Sequence, residues 1–153
     1  MPLYDGMKAV LKQHLETIEN GGKPPVIVIG ELTQSQHDEI NIHRAVEELP
    51  PLESREIMYM GRHHYNSRVA EDGYLIHDML QQIESGLSQD SVFNKNPKKP
   101  HGTVLVNPNP RADGYGNHVH DNAVLELTTR KPRAELFSVI PKGDKNKPKK
   151  QTP

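Results

Sequence analysis

The spacing of apolar residues changes along this chain, and that change sets the fold class. Early on they recur at intervals of three and four: Val10, Leu11, Leu15 and Ile18 between Met7 and Glu19, then Ile76, Met79, Leu80, Ile83 and Leu87 between Leu75 and Leu87. That is the period of a helix with one buried face. In the last third, short runs rich in β-branched residues take over: Thr103 to Val106, Val119 to Thr129 and Ala134 to Ile140, separated by Pro, Gly and Asn. Helices first and strands later predict an α+β fold, with N-terminal helices followed by a small antiparallel sheet. Val26 to Ile29 and Arg55 to Met60 read as one or two early strands. Thr33 with Gln36 is a capping-box signature that opens a helix to Glu48, and Leu49-Pro50-Pro51 stops it. Asp90 to His101 reads as a loop. Val124 and Leu125 are adjacent, which suits a strand covered on both faces.

A length of 153 residues fits one domain. Residues 1–31 form an N-terminal helix and strand, 32–142 the main body, and 143–153 a Lys- and Pro-rich tail expected to be disordered. Hydrophobic residues make up 33%, with no Trp and two Phe, so the core must be small and aliphatic. The net charge of -1 gives no global basic field, so any anion site must be local. The absence of cysteine rules out disulfides and thiol chemistry. No apolar run approaches the roughly 20 residues that span a bilayer, and Met1 to Asp5 shows no signal-peptide pattern. A cytoplasmic protein, or one delivered into a target cell, is the expectation.

Three groups of residues carry chemistry. The densest is Gly61-Arg62-His63-His64-Tyr65-Asn66-Ser67-Arg68, where two imidazoles, two guanidiniums, a phenol and a hydroxyl share a turn-sized segment. Histidine moves protons near neutral pH, and arginine presents planar donors to phosphate oxygens. The opposing reading is a solvated strand end paired with Glu53, Glu56 or Glu71. On a strand, His63 and His64 face opposite ways, so only one reaches a site.

The second group, Arg111 to Asp121, is a glycine-rich turn followed by His118 and His120, which share a face on a strand. It reads as a metal pair, as histidines facing solvent, or as a loop lining the same site as the first group. The third spans Glu126 to Lys142. Glu126, Thr128 and Arg130 share one strand face, with Ser138 and Lys142 on the next strand. They fit either a row stabilising a phosphate in transit or the wet face of an antiparallel sheet.

The order of these parts from Leu32 to Lys142 is similar to that of the barnase–EndoU–colicin–RelE group of RNase-like domains, the BECR fold. Arg62-His63-His64 before the Leu75–Leu87 helix resembles the His-bearing segment of phage-encoded and polymorphic-toxin members. Glu126-Leu127-Thr128 and Ser138 to Lys142 resemble the strands that follow. The resemblance implies a metal-independent ribonuclease site on a sheet face, in a bacterial toxin or phage effector that uses no cofactor.

On the residue types, His63 or His64 would take the proton of a ribose 2′-OH, and Arg68 and Arg111 would hold the phosphate. Ser67 or Thr128 would donate a hydrogen bond, and His118 would protonate the leaving oxygen. Arg62, Tyr65, Arg130 and Lys142 would help bind RNA, tRNA among the candidates. A cognate immunity protein is the expected partner. Two alternatives stand: a non-enzymatic binding, immunity or phage-associated adaptor protein, and a metal-dependent hydrolase using His118 and His120.

Overall fold

The structure is a computed structural model and describes residues 2–96, 102–127 and 133–143. Helix α1 (Met7–Glu19) leads to strand β1 (Ile27–Glu31). Helix α2 (Gln34–Val46) begins at Thr33, whose hydroxyl accepts the Gln36 N–H while the Gln36 side chain accepts the Thr33 N–H. Both bonds satisfy donors left open by the first turn. Strand β2 (Glu56–Tyr59) runs into a short helix, α3 (Arg62–Tyr65), which continues as a π-helical stretch over Asn66–Glu71. Helix α4 (Ile76–Gly86) follows. The remaining strands are β3 (Val92–Lys95), β4 (Thr103–Val106), β5 (Arg111–Ala112), β6 (His118–Leu127) and β7 (Ala134–Lys142).

The architecture is α+β, with a sheet larger than the sequence suggests. Among the described residues seven strands form it, in the order β1-β2-β7-β6-β4-β3, with β5 beside β6. The early strands thus belong to the same sheet as the late ones. β2 lies parallel to β7, and every other pair among the described residues is antiparallel.

Two readings are corrected. Val92 to Lys95, read as loop, pairs with β4 from Val92↔Val106 to Lys95↔Thr103. The Arg62–Arg68 run is helical, not the end of a strand. Of the tail read as disordered, residues 143–153, all but Gly143 lie outside the described residues.

Core residues alternate along the strands. Leu105, Ala123, Leu125, Leu136 and Val139 are buried with Met79 and Ile83 of α4 and Leu11 and Leu15 of α1. Their neighbours Val104, Asn122, Val124 and Ile140 point to the other face. β7 breaks the alternation. Val124 pairs with Ser138 but Leu125 pairs with Leu136, so Phe137 is an extra residue opposite β6. Such a bulge re-aims side chains. Here it puts both Phe137 and Ser138 on the face away from the core.

Candidate active site

Gly61 makes the site possible. Its φ is 83°, a left-handed value that glycine adopts without strain. A Cβ there would lie 3.0 Å from the Tyr59 ring and 3.1 Å from the His14 ring. The chain therefore turns sharply at the end of β2. β2 pairs with β7 only as far as Tyr59↔Leu136, and beyond that point α3 packs against β7. Past Tyr65 the helix widens: the Asp72 N–H bonds to the Ser67 carbonyl, five residues back. Widened turns of this kind occur often at functional sites.

This placement sends the two adjacent histidines in different directions. The His63 ring stacks on the Phe137 ring at 3.9 Å and 17° between planes. Its Nε2 is 3.3 Å from Ser67 Oγ. His64 enters the core and is fully buried. Its Nε2 is 3.3 Å from Gln82 Oε1 and its Nδ1 is 2.9 Å from the Tyr59 hydroxyl. Burial drives the His64 pKa down to about 3, outweighing the Gln82 bond that favours the charged form. His64 is therefore corrected from candidate base to structural group: it lies in the core and is uncharged near neutral pH.

On the sheet face opposite α4 a cleft of about 310 Å³ opens. That is at the small end of the size range of ligand pockets. Val104, Val124 and Ile140 give it an apolar floor beside Phe137. His63, Arg68, Asn96, Asn122, Glu126, Ser138 and Lys142 supply its polar groups. Arg68 is oriented by Asp72 at 3.2 Å, one helical turn on. A second groove of about 320 Å³ shares His63 and Phe137 and adds Arg62, Asn66 and Glu135. Glu126 and Glu135 stand directly opposite each other on β6 and β7. Burial first, then the charge of Glu126, holds the Glu135 carboxyl above the usual carboxylate range.

Of the residues expected from sequence, His63, Arg68 and Lys142 meet in the first cleft, with Ser67 bonded to His63 behind it. Arg62 lines only the adjoining groove. Three residues lie elsewhere. Arg111 is committed to the fully buried Asp121 through paired bonds of 2.5 and 3.0 Å, and it faces a different depression beside α4. Its expected role of holding phosphate with Arg68 is corrected on that ground. His118 is exposed at the start of β6 and lines none of these cavities. The Tyr65 hydroxyl donates to Glu19 of α1 at 3.0 Å. Thr128 and Arg130 lie outside the described residues.

The His120 Nδ1–H donates to the Asn107 carbonyl, 3.0 Å away. Among the described residues no group of three His, Asp or Glu side chains is placed to hold a metal ion, so His118 and His120 have no third ligand there.

In the sequence Glu126 and Ser138 fit a wet sheet face as well as a site, and Asn96, Asn122 and Phe137 are not among its candidates. A signal for Asn122 existed, since it shares parity with Val124 and Glu126. None existed for Phe137, because a bulge leaves no mark in alternation. Comparison of the chain with protein-family models, curated proteins and solved structures finds no match.

Proposed function

We propose that this cleft cuts RNA without a metal ion, by attack of a ribose 2′-OH on the adjacent phosphate. The observation that supports this reading is the meeting of His63, Glu126, Arg68 and Lys142 around one cleft built on four separate elements. In-line transphosphorylation needs a base for the 2′-oxygen, an acid for the leaving 5′-oxygen, and positive donors for the phosphate. Among the described residues His63 is the one histidine lining the cleft and Glu126 the one carboxylate.

The pair divides the two tasks. A carboxylate is the natural acceptor of the 2′-OH proton, and a protonated imidazole the natural donor to the departing oxygen. The proton lost at one end is supplied at the other, so the step balances. Arg68 and Lys142 attract the phosphate, and the Arg68 Nε–H has no hydrogen-bond partner among the described residues. The apolar floor and the flat His63–Phe137 stack suit a nucleobase, whose faces bind apolar and aromatic surfaces.

A BECR-like ribonuclease acting as a toxin or phage effector is part of the same proposal. It entails growth arrest in cells expressing the chain, and an immunity protein that covers this cleft. The test is incubation of the purified chain with total RNA in EDTA. Cleavage that survives chelation, leaves 2′,3′-cyclic phosphate ends and is lost in His63→Ala supports the reading. Intact RNA in every condition overturns it and leaves a binding protein.

A further inference from the structure

We propose that the cleft reads the identity of one unpaired nucleobase, with Ser138 Oγ and Asn122 Oδ1 as the reading atoms. The inference rests on the ribonucleotide reading above for its ligand class, but its carrying observation is separate. Ser138 is only 4% exposed, and its hydroxyl has no hydrogen-bond partner among the described residues. Asn122 Oδ1 is likewise closed off and unpartnered. Buried polar atoms are nearly always bonded, and exceptions call for an explanation. Two such exceptions line the same cleft on adjacent strands. Asn122 sits opposite Ile140 and Ser138 opposite Val124, so the two are diagonal neighbours on one sheet face. The β7 bulge is what brings Ser138 to that face directly after Phe137.

The chemistry of the two atoms narrows what they bind. An amide oxygen only accepts, so its partner must carry an N–H or O–H. A phosphate diester brings acceptors alone and does not suit it. The ring N–H and exocyclic amino groups of a base do. The Ser138 hydroxyl donates or accepts, so it matches whichever group stands next on the base edge. Val104, Val124 and Ile140 form the surface around them, and a flat base covers such a floor where a ribose, polar around its rim, does not. Both side chains reach a ligand by rotation between staggered wells. The base edge then meets two unmet hydrogen-bonding groups, while the phosphate meets Arg68 and Lys142.

The test measures binding of the four nucleoside 5′-monophosphates, and of their 2′-deoxy forms, to the intact chain by titration calorimetry or NMR. Wild type should prefer one base, or a pair sharing an edge pattern, by about tenfold, the discrimination expected of a good polar contact. Ser138→Ala and Asn122→Ala should each bring that preference to within about twofold. Ser138→Ala should leave Tm unchanged or higher, because it removes a hydroxyl that has no partner.

The deoxy forms should keep the preference; its loss in them would assign the two atoms to the ribose and overturn the proposal. Equal binding of all four bases, no binding of any, or a preference unchanged in both variants also overturns it. Selective binding without RNA cleavage sinks the nuclease reading and leaves this one standing. Cleavage with no base preference does the reverse.

Discussion

The Tyr59 hydroxyl sits 2.9 Å from His64 Nδ1 in the core, and that contact separates the two adjacent histidines by role. Gln82 Oε1 only accepts, so the opposite nitrogen, His64 Nε2, carries the proton. Nδ1 of the neutral ring is then the acceptor for the Tyr59 O–H. A buried neutral imidazole satisfied at both nitrogens is a structural device, and its charging is unfavourable.

Stability should follow from this with a definite sign. The folded-state pKa of His64 is near 3, below the ordinary 6.5. The unfolded chain therefore takes up a proton that the folded chain refuses. The stabilisation is fully present above about pH 6.5 and is lost as pH falls toward 3. Between those limits His64 should contribute a slope of about 1.4 kcal/mol per pH unit. His64→Gln should flatten the urea-midpoint profile over that window. His64→Ala should cost about 2–4 kcal/mol at pH 7 through the cavity and the stranded Tyr59 hydroxyl. A slope equal in wild type and His64→Gln would show that His64 is not closed off as described.

His63 should behave in the opposite way, because it is exposed and stacked on Phe137. His63→Ala should lower RNA cleavage by about 10²–10⁴-fold, the usual worth of an acid–base group. Its stability loss should stay near 0.5–1.5 kcal/mol, the value of an aromatic pair. Glu126→Gln should lose a similar factor of cleavage. The double variant should be little worse than either single one, since two groups serving one proton-transfer sequence fail together. Kinetics paired with thermal melts on the three proteins decide this. Multiplicative losses would mean that the two residues act independently.

What was legible in the sequence follows a physical division. Thr33 and Gln36 cap α2 through contacts three residues apart, so local spacing sufficed to find them. The α4 face of Met79 and Ile83 was equally local. Val92 to Lys95 was missed because two apolar residues among polar ones form a strand only when β4 is there to pair with them. The Arg62–Arg68 run was misread because its helix is set by the turn at Gly61 and by packing on β7, not by any apolar period of its own. For the site, residue types were informative and directions were not. His63 and His64 look alike in sequence, and Arg111 looks like Arg68. The joining of β2 to β7 across more than seventy positions brings His63 and Arg68 to the cleft, while the pairing of β5 with β6 carries Arg111 away from it.

Arg111 tests that separation directly. Its guanidinium holds the fully buried Asp121 through two bonds. Arg111→Ala strands that carboxylate, and breaking a buried pair costs about 3–5 kcal/mol. The variant should melt well below wild type yet cut RNA at a near-normal rate at temperatures where it stays folded. A large fall in cleavage with unchanged stability would return Arg111 to the site.

Gly61→Ala should couple stability to activity. The left-handed backbone and the close rings of Tyr59 and His14 together make the added methyl cost about 1–3 kcal/mol. Relief of that strain shifts the start of α3, and with it His63 and Arg68. Cleavage should therefore drop by more than the folded fraction accounts for. An alanine variant as stable as wild type would show that the turn relaxes without disturbing the rings.

Glu135 gives the last and subtlest expectation. Burial and the facing Glu126 raise its carboxyl above the ordinary 4.5. The folded chain therefore holds this proton more tightly than the unfolded chain does. Its favourable contribution is present below that ordinary value and is lost as pH rises through the raised one. At pH 7 the ionised Glu135 opposes folding, next to a second negative charge on the neighbouring strand. Glu135→Gln should therefore raise the urea midpoint at pH 7 and leave it almost unchanged near pH 3.5. Removing the facing charge by Glu126→Gln should shrink the gain from Glu135→Gln, since part of the cause is then gone. Full additivity of the two substitutions would show that the carboxylates do not feel each other across β6 and β7, and that burial alone sets the shift.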